Sequence, residues 1–126
     1  MFYYVSGMLA HREPGFAVID CGGVGYRLTV SQNTLAALDR ASARESKVYT
    51  YMAVREDDVE LFGFYTEEEL TTFRQLIGVS GIGPKAAMGV LSAFTPDGLA
   101  RAVCTEDVKA IAKSNGVGAK GAARIV

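Results

Sequence analysis

The sequence predicts an α+β protein built in two successive parts, an all-β barrel followed by an all-helical domain. Three observations predict it. Apolar and polar residues alternate with period two up to Tyr65, a helical period takes over at Thr66, and one glycine-rich turn occurs twice in the second half. The expected domains are residues 1–65 and 66–126.

Five strands account for the first part. Phe2 to Leu9 reads as the first and Phe16 to Asp20 as the second, with Gly22-Gly23 as a hairpin turn before the alternation of Val24, Tyr26, Leu28 and Val30. A short helical turn from Asn33 to Leu38 precedes strands over Lys47 to Val54 and Val59 to Phe64. Five short strands with a helix between the third and fourth fit a small Greek-key barrel of the OB type, and an SH3-like barrel fits nearly as well. The last two strands meet at Arg55-Glu56-Asp57-Asp58, an acidic tip whose plain reading is a solvated turn.

From Thr66 the chain reads as helices. Thr66 caps the first, with Glu67, Glu68 and Glu69 where the helix dipole favours acids, and Phe73, Leu76 and Ile77 on its buried side. A second helix carries Met88, Leu91 and Phe94. Thr95 caps a third, with Pro96 in first position, and Thr105 is expected to cap a fourth. A last helix stops at Val126 after about two turns, too short to stand unpacked, so the chain reads as cut rather than finished.

Between these helices lie Gly81-Ile82-Gly83-Pro84-Lys85-Ala86-Ala87 and Gly116-Val117-Gly118-Ala119-Lys120-Gly121-Ala122, thirty-five residues apart. Each reads glycine, aliphatic, glycine, any residue, lysine, small, alanine. The glycines allow a tight turn and close approach of a partner. Ile82 and Val117 are placed to plug between flanking helices, and Pro84 suits a first helical position. The outward amides of such a turn, at a helix N-terminus, favour an anion. Lys85 and Lys120 add charge beside it, and Arg124 follows on the last helix. This is a repeated helix-hairpin-helix pattern, and its natural ligand is a nucleic-acid phosphate. The spacing also satisfies the dinucleotide fingerprint G-x-G-x-x-G, but that motif must follow a strand and precede an acid about 20 residues on. Here both copies follow helical patterns.

Charge and cysteine content bound the reading further. The formal net charge is −1, which argues against DNA binding by a broadly basic surface. Locally the balance differs. After Asp107 there are four bases, Lys109, Lys113, Lys120 and Arg124, and no acid. Cys21 and Cys104 lie far apart without metal-ligand neighbours and read as reduced core residues of a cytosolic protein; His11 reads as a surface residue. No secretory leader and no membrane-spanning run is visible. No metal, cofactor or catalytic residue is expected.

Gly22-Gly23-Val24-Gly25-Tyr26, Val54-Arg55-Glu56-Asp57 with Leu61-Phe62-Gly63-Phe64, and Gly81-Ile82-Gly83-Pro84-Lys85 stand in one order. In that order the chain resembles the RuvA family of Holliday-junction-binding subunits over its whole length. The resemblance implies a non-catalytic, cytoplasmic DNA-binding subunit acting in branch migration, recombination, repair and the SOS response to DNA damage. It implies a homotetramer, single or stacked as a double tetramer, on four-way junction DNA. Phosphate contacts are implied at Gly81, Ile82, Gly83, Lys85, Gly116, Val117, Gly118, Lys120 and Arg124, and an acidic pin at Glu56 and Asp57. It further implies recruitment of the RuvB ATPase through a third domain absent here, with the RuvC resolvase as a further partner. Ala119 and Gly121 depart from the family pattern in the second hairpin, as do Tyr4 and Ser6 in the first strand. Two rivals come from other classes. One is a DNA glycosylase or lyase, for which no convergent catalytic set surrounds Asp97. The other is a single-strand-binding OB module, for which Tyr3, Tyr4, Tyr49 and Tyr51 are candidate stacking rings.

Overall fold

The computed structural model describes residues 2–126, in two compact units, one ending at Leu70 and the other spanning Thr71–Val126. In the first unit, strands β1 (Tyr4–Glu13), β2 (Phe16–Cys21), β3 (Val24–Val30), β4 (Ser46–Val54) and β5 (Val59–Phe64) close a barrel in the order β1-β2-β3-β5-β4. All neighbours are antiparallel except β3 and β5, which pair in parallel. Helix α1 (Gln32–Arg40) lies between β3 and β4. This is the OB-type arrangement, and it decides against the SH3-like alternative.

The hairpin at Gly22-Gly23 forms as the sequence predicts. Both glycines have positive φ, 61° and 97°, as a two-residue turn matched to strand twist requires. Strand β1 runs longer than expected because it serves two partners. Residues 4–7 pair with β4, residues 8–13 pair with β2, and a bulge falls between Leu9 and His11. Gly7 sits where the partner changes. A Cβ there would stand 2.1 Å from the Asp20 carbonyl oxygen, so only glycine admits this close backbone approach. Val5, Ile19, Leu28 and Val48 fill the barrel together with Leu35 and Leu38 of α1.

Helix α2 (Glu67–Ile77) starts in this unit, capped as expected by Thr66, whose Oγ1 accepts from the Glu69 amide at 3.1 Å. Its three acids are not equivalent. Glu69 is buried, and its carboxylate accepts from Ser31 Oγ at 2.8 Å and from Thr34 Oγ1. Ser31 Oγ is also the N-cap acceptor of α1, and Thr34 Oγ1 accepts from the Tyr65 amide. One buried carboxylate thus ties the start of α2 to the start of α1. Burial pushes its pKa above the ordinary glutamate value of 4.5, with the hydroxyl donors opposing the shift. A native pKa raised in this way means the folded protein holds the proton more tightly than the unfolded chain. Stability from this group therefore falls as pH rises from about 4.5 through the raised pKa, then levels off. In urea titrations across that window, Glu69→Gln is expected to flatten the pH dependence. An unchanged profile would place the titration elsewhere. Glu69→Ala is expected to cost about 1–3 kcal/mol at any pH, because it strands two buried hydroxyls.

The second unit contains the rest of α2 with α3 (Pro84–Ala93), α4 (Pro96–Cys104), α5 (Val108–Ala112) and α6 (Gly118–Ile125). Phe73, Val90, Leu91 and Ile111 are fully buried in it. Thr95 caps α4 and Pro96 takes its first position, as expected. The cap of α5 differs from expectation. Thr105 ends α4, donating its hydroxyl to the Arg101 carbonyl at 3.0 Å, and Asp107 caps α5 by accepting from the Ala110 amide at 3.2 Å. Between them Glu106 takes φ 54°, and the Glu106 and Asp107 amides return to the carbonyls of Val103 and Ala102. That is a Schellman stop, whose left-handed position glycine usually holds. Glu106→Gly is expected to raise stability by about 0.5–1 kcal/mol, read as a higher unfolding midpoint; a lower one would contradict the strained geometry.

The cysteines correct a second expectation. Both are free, but only Cys21 meets the core, half-buried and packed against the barrel interior, whereas Cys104 is exposed at the end of α4. Burial and the neighbouring Asp20 carboxylate push the Cys21 thiol above its ordinary pKa. His11 is exposed, with Nε2 2.9 Å from Glu13 Oε2. Among the described residues no helix is long and apolar enough to cross a membrane.

Candidate nucleic-acid interface

The repeat seen in the sequence is reproduced in two hydrogen bonds of each turn. In the first hairpin the Val79 amide donates to Leu76 O and the Ile82 amide to Val79 O, each at 3.0 Å. Thirty-five residues on, the Ser114 amide donates to Ile111 O at 3.0 Å and the Val117 amide to Ser114 O at 3.2 Å. Gly81 and Gly116 share one conformation, φ 84° and 85°. Among the described residues nothing accepts from the amides of Gly81, Gly83, Gly116 or Gly118, and all four glycines are exposed. Lys85 and Lys120 are exposed in the first turns of α3 and α6, and Lys109 and Lys113 are exposed around the end of α5. Each turn therefore offers free N–H groups with an exposed lysine in the helix turn that follows, the arrangement that suits a phosphate.

The second glycine of each pair departs from the symmetric expectation. Gly83 has ordinary extended geometry, φ −90° and ψ 178°, whereas Gly118 has φ 70°. Pro84 explains the difference: a residue before proline is pushed into the extended region, and Ala119 imposes no such restriction. Gly83 is thus not needed for its φ. A Cβ there would meet nothing within 4 Å, so the space in front of it is open to a ligand.

The hairpins lock across each other. Ile82 is buried, as expected, whereas Val117 is only half-buried. A Cβ on Gly121 would lie 3.2 Å from Ile82 Cδ1 and 3.1 Å from Val117 Cγ1. Gly121, a poor helix former by propensity, therefore lets the first turn seat on α6. Reciprocally, a Cβ on Gly89 of α3 would lie 2.0 Å from the Asn115 carbonyl oxygen, and one on Gly116 would lie 3.6 Å from Ala86 Cα. Arg124, in the last turn of α6, reaches the first hairpin and donates to Ser80 O at 3.3 Å. Ser114, which holds in the second copy the place of Val79, is buried with its hydroxyl unpaired among the described residues.

The acidic tip is better ordered than a plain solvated turn. The Arg55 amide donates to Asp58 O at 2.9 Å. The Arg55 guanidinium pairs with Asp58 Oδ1 at 2.7 Å and Glu60 Oε1 at 2.6 Å. Two of the four nearby acids thus share one guanidinium, which offsets a single charge, and Glu56 and Asp57 are left exposed at the apex. Three of the four aromatic candidates cluster: Tyr3 and Tyr4 meet Tyr49 edge-on, with Lys47 Nζ 4.4 Å above the Tyr4 ring, while Tyr51 meets Phe62 instead.

A closed five-stranded barrel and a tandem of cross-locked helix-hairpin-helix turns define a barrel-plus-hairpin class of proteins. The family model described as the RuvA N terminal domain matches residues 1–63, and that of a SAM-like helix-hairpin-helix tandem matches residues 73–126. The chain belongs to the RuvA family. It is 47% identical over 126 residues to a protein of Acetivibrio thermocellus and 47% identical to one of Neisseria meningitidis serogroup C. It is 44% identical to one of Lachnospira eligens. Each is named Holliday junction branch migration complex subunit RuvA. All of this chain is covered in every case, and it spans 62%, 64% and 60% of the respective relatives.

Proposed function

We propose that this chain is a non-catalytic, structure-selective DNA-binding subunit that holds four-way junctions for branch migration in recombination and repair. The observation that carries the proposal is the duplicated turn, with the same hydrogen bonds, open glycine amides and flanking lysine thirty-five residues apart. In this reading Gly81, Ile82, Gly83, Lys85, Gly116, Val117, Gly118, Lys120 and Arg124 form the phosphate-binding surface of a domain spanning 66–126. The 1–65 barrel domain presents Glu56 and Asp57. Phosphate contacts give affinity without base readout, and shape selection comes from a homotetramer, single or double, around the crossover. The full-length protein works in the cytoplasm with a RuvB ATPase recruited by residues beyond Val126, and with a RuvC resolvase.

Acids facing a polyanion lower affinity, so the apex needs a reason other than grip. Two unit charges about 4 Å apart interact by roughly 1 kcal/mol in water and roughly 4 kcal/mol at an effective dielectric near 20. That is enough to steer a strand yet small beside the summed phosphate contacts. In a four-fold assembly the tips cluster at the crossover and turn strands outward into the arms.

The test is a competition gel-shift with a labelled synthetic four-way junction against unlabelled junction, duplex and single strand. Junction is expected to compete best. Preference for single strand would favour the OB-module reading, and base excision or strand cleavage would favour the repair enzyme. The double variant Glu56→Gln, Asp57→Asn is expected to bind DNA as tightly or more tightly with a reduced preference for junction. An unchanged preference would leave the apex a solvated turn.

A further inference from the structure

By position in the chain Arg124 belongs to the second hairpin, since it follows Lys120 on α6. Its contacts belong to the first. Nη1 donates to Ser80 O at 3.3 Å, and a Cβ on Gly81 would stand 2.5 Å from the same nitrogen. The repeat gives this contact a counterpart. Thirty-five residues before Arg124 lies Gly89, and thirty-five after Ser80 lies Asn115, the pair in which α3 packs directly on the Asn115 carbonyl. At one of these two equivalent crossings the helix meets the carbonyl with bare backbone. At the other it meets it with a guanidinium.

We propose that Arg124 is a positioning residue of the first hairpin, holding the Ser80–Gly81 peptide and adding its charge to that hairpin's phosphate site rather than to the second. The inference rests on the phosphate-binding reading above. A trans peptide directs its C=O and N–H to opposite sides. A donor fixed on Ser80 O therefore fixes the Gly81 N–H pointing away from it. Gly81 has φ 84° and no side chain of its own, and the guanidinium adds an outside contact on that peptide which the Gly116 turn lacks. Arginine carries five N–H donors and spends one here, which leaves the exposed remainder of the fork for an anion. Glycine at position 81 then has two uses, the turn itself and room for the guanidinium.

Double-mutant cycles on the 126-residue chain with a synthetic four-way junction, titrated at several salt concentrations, test the assignment. Arg124→Ala is expected to weaken binding on the order of tenfold and to lower the salt slope by about one. Combined with Lys85→Ala it should lose less than the product of the two fold-changes, because both act on one phosphate site. Combined with Lys120→Ala the losses should multiply. Arg124→Lys should restore the slope. In the free protein, the Gly81 amide resonance should move more than that of Gly116 on Arg124→Ala. Coupling to Lys120 instead of Lys85, or an unmoved Gly81 resonance, overturns the proposal. The Gly81 readout needs no DNA. If the unaltered chain binds neither junction nor duplex, the phosphate-binding reading itself fails and the charge assignment falls with it.

Discussion

Gly89→Ala is expected to break the packing of the helical unit. The new Cβ would stand 2.0 Å from Asn115 O, 3.0 Å from its carbonyl carbon and 3.3 Å from its nitrogen, all of them backbone atoms. No rotamer relieves such a clash, so α3 must back away from the second turn and carry Ile82 and Ala86 with it. Overpacking of a tight core costs about 1–3 kcal/mol and more where backbone must shift. The upper end applies here. In a unit this small, that lowers the unfolding midpoint by on the order of 10 °C or more. Loss of both phosphate turns should follow, since each is seated on the helix of the other. Calorimetry of the variant decides it. A midpoint within a few degrees of the unaltered chain would show that α3 and the Asn115 turn do not meet as described.

Gly83→Val is expected to abolish most DNA binding while leaving the fold intact. The backbone at Gly83 is extended and the space over it is empty within 4 Å, so valine is tolerated there without strain. What valine removes is access. Its branched side chain stands where a phosphate must come to reach the amides. A charge-assisted hydrogen bond contributes about 1.5–3 kcal/mol, so losing one or two lowers affinity on the order of ten- to a hundredfold or beyond. Lys85→Ala should cost less, because a flexible exposed ammonium is screened by salt and leaves the amide cradle in place. Both variants should weaken junction and duplex alike. A folded Gly83→Val protein with unimpaired binding would refute the phosphate cradle.

Much of this was legible in the sequence because the features are local. Alternation gave the strands, Gly22-Gly23 the hairpin, Thr66 and Thr95 the caps, and the repeated glycine pattern the two turns. What escaped were features set by a partner distant in the chain. The run Glu67-Glu68-Glu69 reads as three dipole-favoured surface acids, and nothing in it marks Glu69 as buried against Ser31 and Thr34. Gly7 and Gly89 look like weak points in a strand and a helix until the carbonyls of Asp20 and Asn115 are placed opposite them. The cap after α4 was misassigned because Thr105, Glu106 and Asp107 together suit an N-terminus, and propensity does not anticipate a glutamate with φ 54°. Arg124 follows the second hairpin in the chain, whereas its hydrogen bond is to Ser80 of the first. The signal that finds it is the repeat offset itself, which aligns position 124 with Gly89 and Ser80 with Asn115.

The cross-locking of the two turns also governs how the helical unit is made and lost. Each hairpin is a pair of short helices around a turn, and each meets the other copy: Ile82 is buried against Gly121 of α6, and Asn115 and Gly116 lie against Gly89 and Ala86 of α3. Because each turn is seated on a helix of the other copy, the two hairpins are expected to unfold together rather than one at a time. A duplicated motif of this kind is not modular.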